Sequence, residues 1–119
     1  MLLASAILAT IAVLLGLALA LLFANGTLYP EPAGWLHGAL GIAALVLLLL
    51  ALRGPPRAVA AGAGSFGMIA AWLLGVALVF GLLMLNRSLR RGAIPGAAVA
   101  IHATLAIAGF VILLAYASL

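Results

Sequence analysis

The stretch GWLHGALGIAALVLLLLAL, residues 34–52, holds a single ionisable side chain, His37, in an otherwise apolar run. A helix rises about 1.5 Å per residue and a hydrocarbon core is about 30 Å thick, so a run of this length predicts one membrane crossing. The backbone polar groups of a crossing segment need partners inside it, which makes the segment helical. Comparable runs lie at 3–24, 66–86 and 97–117, and none of them holds Asp, Glu, Lys or Arg. The connections between runs are short and marked by turn formers. They are Asn25-Gly26 through Tyr29-Pro30-Glu31-Pro32, Arg53-Gly54-Pro55-Pro56-Arg57 with an Ala/Gly segment to Ser65, and Asn86 through Gly92 with Pro95 set to open the last helix. Short connections force neighbours to run antiparallel. The expected fold is an all-α membrane protein, an up-down-up-down four-helix transmembrane bundle forming one domain over residues 1–119.

Composition agrees. Of 119 residues, 70% are hydrophobic and 5% charged, whereas soluble domains carry about 25% charged residues. A soluble globular protein is excluded, and so is a disordered chain. No strand-like alternation of the kind a membrane barrel needs is present. With no Cys there is no disulfide scaffold, thiolate metal site or iron–sulfur cluster. The net charge of +4 sits in short loops and gives no reason to expect nucleic acid. The first run lacks a basic flank and is longer than a signal-peptide core, so it reads as a retained helix. Arg53 and Arg57 mark one face of the membrane; Arg87, Arg90 and Arg91 mark the other, with Glu31 read as a solvated loop acid. The excess of Arg favours the second face as cytoplasmic. A bacterial inner membrane is the expected setting.

The second and fourth runs align without gaps. Leu36-His37-Gly38-Ala39-Leu40-Gly41-Ile42-Ala43-Ala44 lies over Ile101-His102-Ala103-Thr104-Leu105-Ala106-Ile107-Ala108-Gly109, which superposes the only two histidines. The first and third runs align more loosely, with Leu14-Leu15-Gly16 over Leu73-Leu74-Gly75. The pattern is a tandem two-helix repeat. An even number of crossings per unit keeps both copies in one orientation, with a pseudo-twofold axis along the membrane normal. Helices two and four then lie diagonally opposed, and the histidines face each other at similar depth near the three-Arg face.

Ionisable side chains inside a span are costly, and functional by default. Neighbours at i−3, i+4 and i+7 share a helix face. They are Gly34, Gly41 and Ala44 around His37, and Val99, Ala106 and Gly109 around His102. Stripes so short of bulk leave room for the faces of a flat ring held by an imidazole from each side. Arg87, Arg90 and Arg91 are placed to meet haem propionates, and Trp35 and Tyr29 sit where interfacial aromatics belong. Two other readings stand beside this one. The stripes are also the ordinary small-residue contact between helices in lipid, with the histidines bonded to a carbonyl or a hydroxyl; Thr104, Ser65 and Asn86 are polar candidates. A quinone site or a proton relay is the third. A bare metal ion is disfavoured, because two imidazoles do not complete a coordination shell.

In this layout the chain resembles the membrane b-type cytochromes. The resemblance covers the four-helix arrangement and the positions of His37 and His102, and implies one bis-histidine haem b between helices two and four. Glycines on helices one and three admit the ring in such bundles. Gly81 is expected at the level of the histidines, with Gly16 and Gly75 deeper.

With no carboxylate in a span, a proton-coupled drug transporter and a rotary ring subunit are disfavoured. No hydrolytic constellation or polar channel lining is present. Arg53 and Arg57 read as topology anchors, and Trp72 as a packing or lipid-facing aromatic. Gly67, Ala71 and Gly75, and likewise Ala12, Gly16 and Ala20, read as helix-contact ridges. The expectation is an electron carrier, not an enzyme, working in the lipid bilayer with a membrane-protein partner or a quinone. The competing class is a small accessory subunit of a respiratory or photosynthetic complex, whose histidines are structural or ligate a (bacterio)chlorophyll.

Overall fold

The computed structural model describes residues 1–27, 31–90 and 92–119. It is an all-helical molecule with four helices: α1 (Leu2–Ala24), α2 (Glu31–Ala51), α3 (Phe66–Leu89) and α4 (Gly96–Ser118). Each is long and apolar enough to cross a membrane, and the chain is an integral multi-pass membrane protein. The helices form a four-cornered bundle. α1 packs against α2 and α4, and α3 against α2 and α4, so α1 and α3 are diagonal, as are α2 and α4. Packing is closest within the two hairpins, α1–α2 and α3–α4.

The interior is built from small residues. Ala6, Ala9, Ala12, Ala44, Ala70, Ala71 and Ala77 are buried, while Leu14, Leu17, Leu83 and Val111 point outward. Lipid supplies no hydrophobic force to bring helices together, so close backbone approach and dispersion contacts must do it, and small side chains allow both. Two large side chains, Leu48 and Leu113, are fully buried, at matching positions of the two hairpins. Gly67 shows how tight the contacts are: a Cβ there would lie 2.5 Å from Leu52 Cδ2 and 2.7 Å from Tyr116 Cε1. Trp72 is 70% exposed and faces outward, toward lipid.

The ends of the helices depart from the expected bounds in physically simple ways. α1 closes with a Schellman turn. Gly26, at φ +65°, lets its own N–H reach the Phe23 carbonyl and the Thr27 N–H reach the Leu22 carbonyl. α2 begins at Glu31 rather than residue 34. Pro32 falls in the first turn, where its missing N–H costs nothing, and Glu31 lies in the same turn, where the helix dipole favours an acid. Glu31 is therefore a helix-start residue, not a loop acid. α3 runs on to Leu89 rather than stopping at residue 86, because Arg87 and Ser88 continue the helix past the apolar span and Arg87 suits the negative end of the dipole. Pro95 stands one residue before α4, as its N-cap.

Candidate functional site

His37 and His102 lie on the diagonal helices α2 and α4, and their ring centroids are 5.9 Å apart with planes at 75°. Each ring is held the same way. Nδ1 of His37 lies 2.9 Å from the Ala12 carbonyl on α1, and Nδ1 of His102 lies 2.7 Å from the Ala77 carbonyl on α3. A carbonyl only accepts, so Nδ1 carries the proton and donates in both bonds. Nε2 of each ring has no hydrogen bond among the described residues.

Glycine makes these bonds possible. In a helix the residue four positions on donates its N–H to a given carbonyl, and its side chain stands beside that oxygen. For Ala12 that residue is Gly16, and for Ala77 it is Gly81. A Cβ at 16 would stand 2.7 Å from Cε1 of His37, and one at 81 would stand 3.1 Å from Cε1 of His102. Each half of the bundle thus supplies a carbonyl, a glycine and an imidazole, and corresponding members are 65 residues apart in all three cases.

That spacing corrects two expectations. The register of α1 on α3 is Gly16 over Gly81, not Gly16 over Gly75, and Gly16 is at the level of the histidines rather than deeper. Gly75 approaches only Leu45, at 4.0 Å. The looser register is the product of Leu-on-Leu matches; carrying the spacing of the two histidines back into α1 places Gly16 over Gly81. The polar side chains considered as partners are used elsewhere. Thr104 donates to Ala100 on its own helix, and Asn86 accepts from Arg90. Ser65 stands at the N-cap position of α3, at the other end of the bundle, and makes no capping bond with its side chain.

An open cleft of about 140 Å³ begins at the two rings and runs toward the end of the bundle where α1 and α3 finish. All four helices line it, through Gly16 and Phe23, Gly34 and His37, Gly81 and Leu85, and Val99 and His102 among others. Gly34 is thus part of the site. Gly41 and Ala106, on the bilayer-centre side of the rings, do not line the cleft. Beside Gly41 a Cβ would still meet nothing within 4 Å, and the helices close up only deeper. Ser5 donates to the Ala44 carbonyl at 2.8 Å, and a Cβ at Gly109 would meet Leu74 at 2.9 Å. The room expected from the small stripes is present toward the interface and beside Gly41, and is lost at Gly109.

Arg87 and Arg90 lie at the cleft's end of the bundle but do not line it. Nε of Arg87 donates to the Ala93 carbonyl at 2.6 Å, and Nε of Arg90 to Oδ1 of Asn86 at 3.3 Å. Both side chains are exposed. Trp35 and Glu31 stand at the mouth. Arg91 and Tyr29 lie outside the described residues.

The donor set can be tested against a metal. Two imidazoles bound to one ion, each about 2.0 Å away through nitrogen, place their ring centres about 6 Å apart. The observed separation is 5.9 Å. Metal-bound histidines as a rule donate their other N–H to a carbonyl or carboxylate, as both do here. Among the described residues no group of three or more His, Cys, Asp or Glu surrounds the pair. Two imidazoles alone do not complete the shell of a bare ion. No family model matches the chain, and neither does any characterised protein or solved structure.

Proposed function

We propose that the protein binds one haem b between His37 and His102 and serves as an integral-membrane electron carrier. The observation that carries this reading is the paired clamp: two imidazoles 5.9 Å apart, each with Nδ1–H committed to a backbone carbonyl. With Nδ1–H committed to a carbonyl, Nε2 is the nitrogen each ring could offer to a shared iron. A shared iron makes use of both at once. When bound, the haem supplies a one-electron couple.

The chain's own residues do the rest. The Ala12 and Ala77 carbonyls fix the tautomer and the ring orientation, and make each imidazole a stronger donor. Gly16 and Gly81 let α1 and α3 come close enough for those bonds. With His37 and His102 both holding the iron, a bound haem would offer no place for a substrate, which favours electron transfer over catalysis. The apolar walls exclude water, and the mouth faces one membrane surface. From His37 to the far end of α2 at Ala51, about 21 Å of Ala- and Leu-rich helix intervenes. Electrons would enter and leave at the cleft's end, exchanged with a quinone or a membrane-protein partner.

A (bacterio)chlorophyll is a poorer match. Its magnesium takes one axial imidazole, and rings this close leave no space for two pigments between them. The test is a reduced-minus-oxidised spectrum of the detergent-purified chain with His37→Ala and His102→Ala beside it. Sharp b-type bands in the wild type, lost in each variant, are expected. A folded, colourless wild type after haem supply would overturn the proposal.

A further inference from the structure

Met84 lines the same cleft as His37 and His102. It follows Gly81 by three residues on α3, so its backbone is about 4.5 Å nearer the mouth than the glycine beside the His102 ring. Side chains on a helix lean toward its N-terminus, over the residue three or four places back. α3 starts at Phe66, at the far end of the bundle, so for Met84 that direction runs back toward Gly81 and the imidazoles. Gly81 has no side chain to obstruct it, and the unbranched thioether is long and flexible enough to span the rise. The first hairpin has Leu19 at the corresponding place, which offers no donor.

The two imidazoles therefore have a third donor within reach, and it is a soft one. Thioether sulfur selects copper in its +1 state, and imidazole suits copper in general. Charge points the same way. An imidazole that binds through Nε2 with its proton on Nδ1 is neutral, and so is a thioether. Glu31, the one acid of the chain, stands at the mouth. The charge of the site is then the charge of the ion alone. The cost of moving an ion into an apolar medium grows with the square of its charge, so a monovalent ion costs about a quarter of what a divalent one does. Zinc is further disfavoured because it takes four ligands. The ring separation of 5.9 Å matches two nitrogens on one ion, and a cleft of about 140 Å³ admits that ion with no change in how the helices pack. We infer that the haem-free chain binds one copper(I) ion through His37, His102 and Met84. This inference does not depend on haem; the two ligands use the same imidazoles and exclude each other.

The test uses the whole chain, haem-free in detergent, with copper(I) held reduced by ascorbate in the absence of oxygen. The chain competes with bicinchoninate, whose purple copper(I) complex fades as the metal is taken from it. One copper per chain is expected, and excess zinc(II) should not displace it. His37→Ala and His102→Ala should each weaken binding by about 100-fold or more, and Met84→Leu by about tenfold. Met84→Leu gives the second hairpin the residue that the first already has, so the fold is kept. X-ray absorption at the copper edge should then show a sulfur neighbour in the wild type and none in this variant. Four results would each overturn the inference: no copper taken from bicinchoninate, displacement by zinc(II), uptake that survives both histidine variants, or a sulfur neighbour that persists in Met84→Leu. Uptake that survives the histidine variants would place the metal elsewhere, on Met1 or Met68. Haem binding is read separately, from the absorption of a haem-loaded sample, so either ligand can fail without the other.

Discussion

The first hairpin and the second are two versions of one unit, and their differences separate what the site needs from what surrounds it. Both keep the imidazole, the carbonyl that holds it and the glycine that exposes the carbonyl. Both keep a fully buried leucine, Leu48 and Leu113. Elsewhere they part. Ser5 bonds across to Ala44, whereas the corresponding pair, Ala70 and Gly109, has no hydroxyl to do so. Arg87 and Arg90 belong to the second hairpin alone, standing where the first has Leu22 and Asn25. The ring, its carbonyl and its glycine are thus shared by the two hairpins as a set, while hydroxyls and charges are not.

The sharpest way to break this comparison is at the shared core. Leu48→Ala and Leu113→Ala each remove a fully buried side chain and should each cost about 2–4 kcal/mol, by similar amounts, in a reversible unfolding titration in mixed micelles. A large difference between the two would mean that the hairpins do not share their packing. Next come the glycines. Gly16→Ala puts a methyl 2.7 Å from the His37 ring, and Gly81→Ala puts one 3.1 Å from the His102 ring. Overpacking of this kind costs about 1–3 kcal/mol, so haem affinity should fall by about 10–100-fold for Gly16→Ala and by less for Gly81→Ala. Equal losses, or none, in a haem titration would show that the close approach is not what positions the imidazoles.

Ser5→Ala removes one buried hydrogen bond and should cost about 1 kcal/mol of fold stability with no change in the haem spectrum. The converse change, Ala70→Ser, offers the second hairpin the hydroxyl it lacks and should recover part of that loss in the double variant. The smallest effect belongs to Arg87→Ala. The side chain is exposed, and a stability change within about 0.5 kcal/mol is expected. A large fall in haem affinity in that variant would instead bring Arg87 into the site.

Much of the fold was legible in the sequence because the signals were collective. A whole apolar run outvotes any single residue, so the four crossings and the diagonal placement of His37 and His102 followed directly. The helix starts and ends were less legible. Glu31-Pro32 and Arg87-Ser88 are polar or loop-like by composition, yet a first turn tolerates proline and a last turn favours arginine. The site was half legible. Histidines are scarce enough in this chain for their spacing to carry information, and Gly81 could be placed at their level, whereas Gly16 is masked by leucines that favour a different register. The Ala12 and Ala77 carbonyls could not be read at all, since every residue has one and only the packing shows which is exposed.

The most direct measurement of the central claim is a haem titration of the purified chain followed by absorption. The account predicts saturation at one haem per chain, as a six-coordinate low-spin species. With imidazole planes near 75°, the oxidised form should also give a strongly anisotropic low-spin resonance. No saturable uptake, or a five-coordinate high-spin product with only one imidazole on the iron, would contradict it.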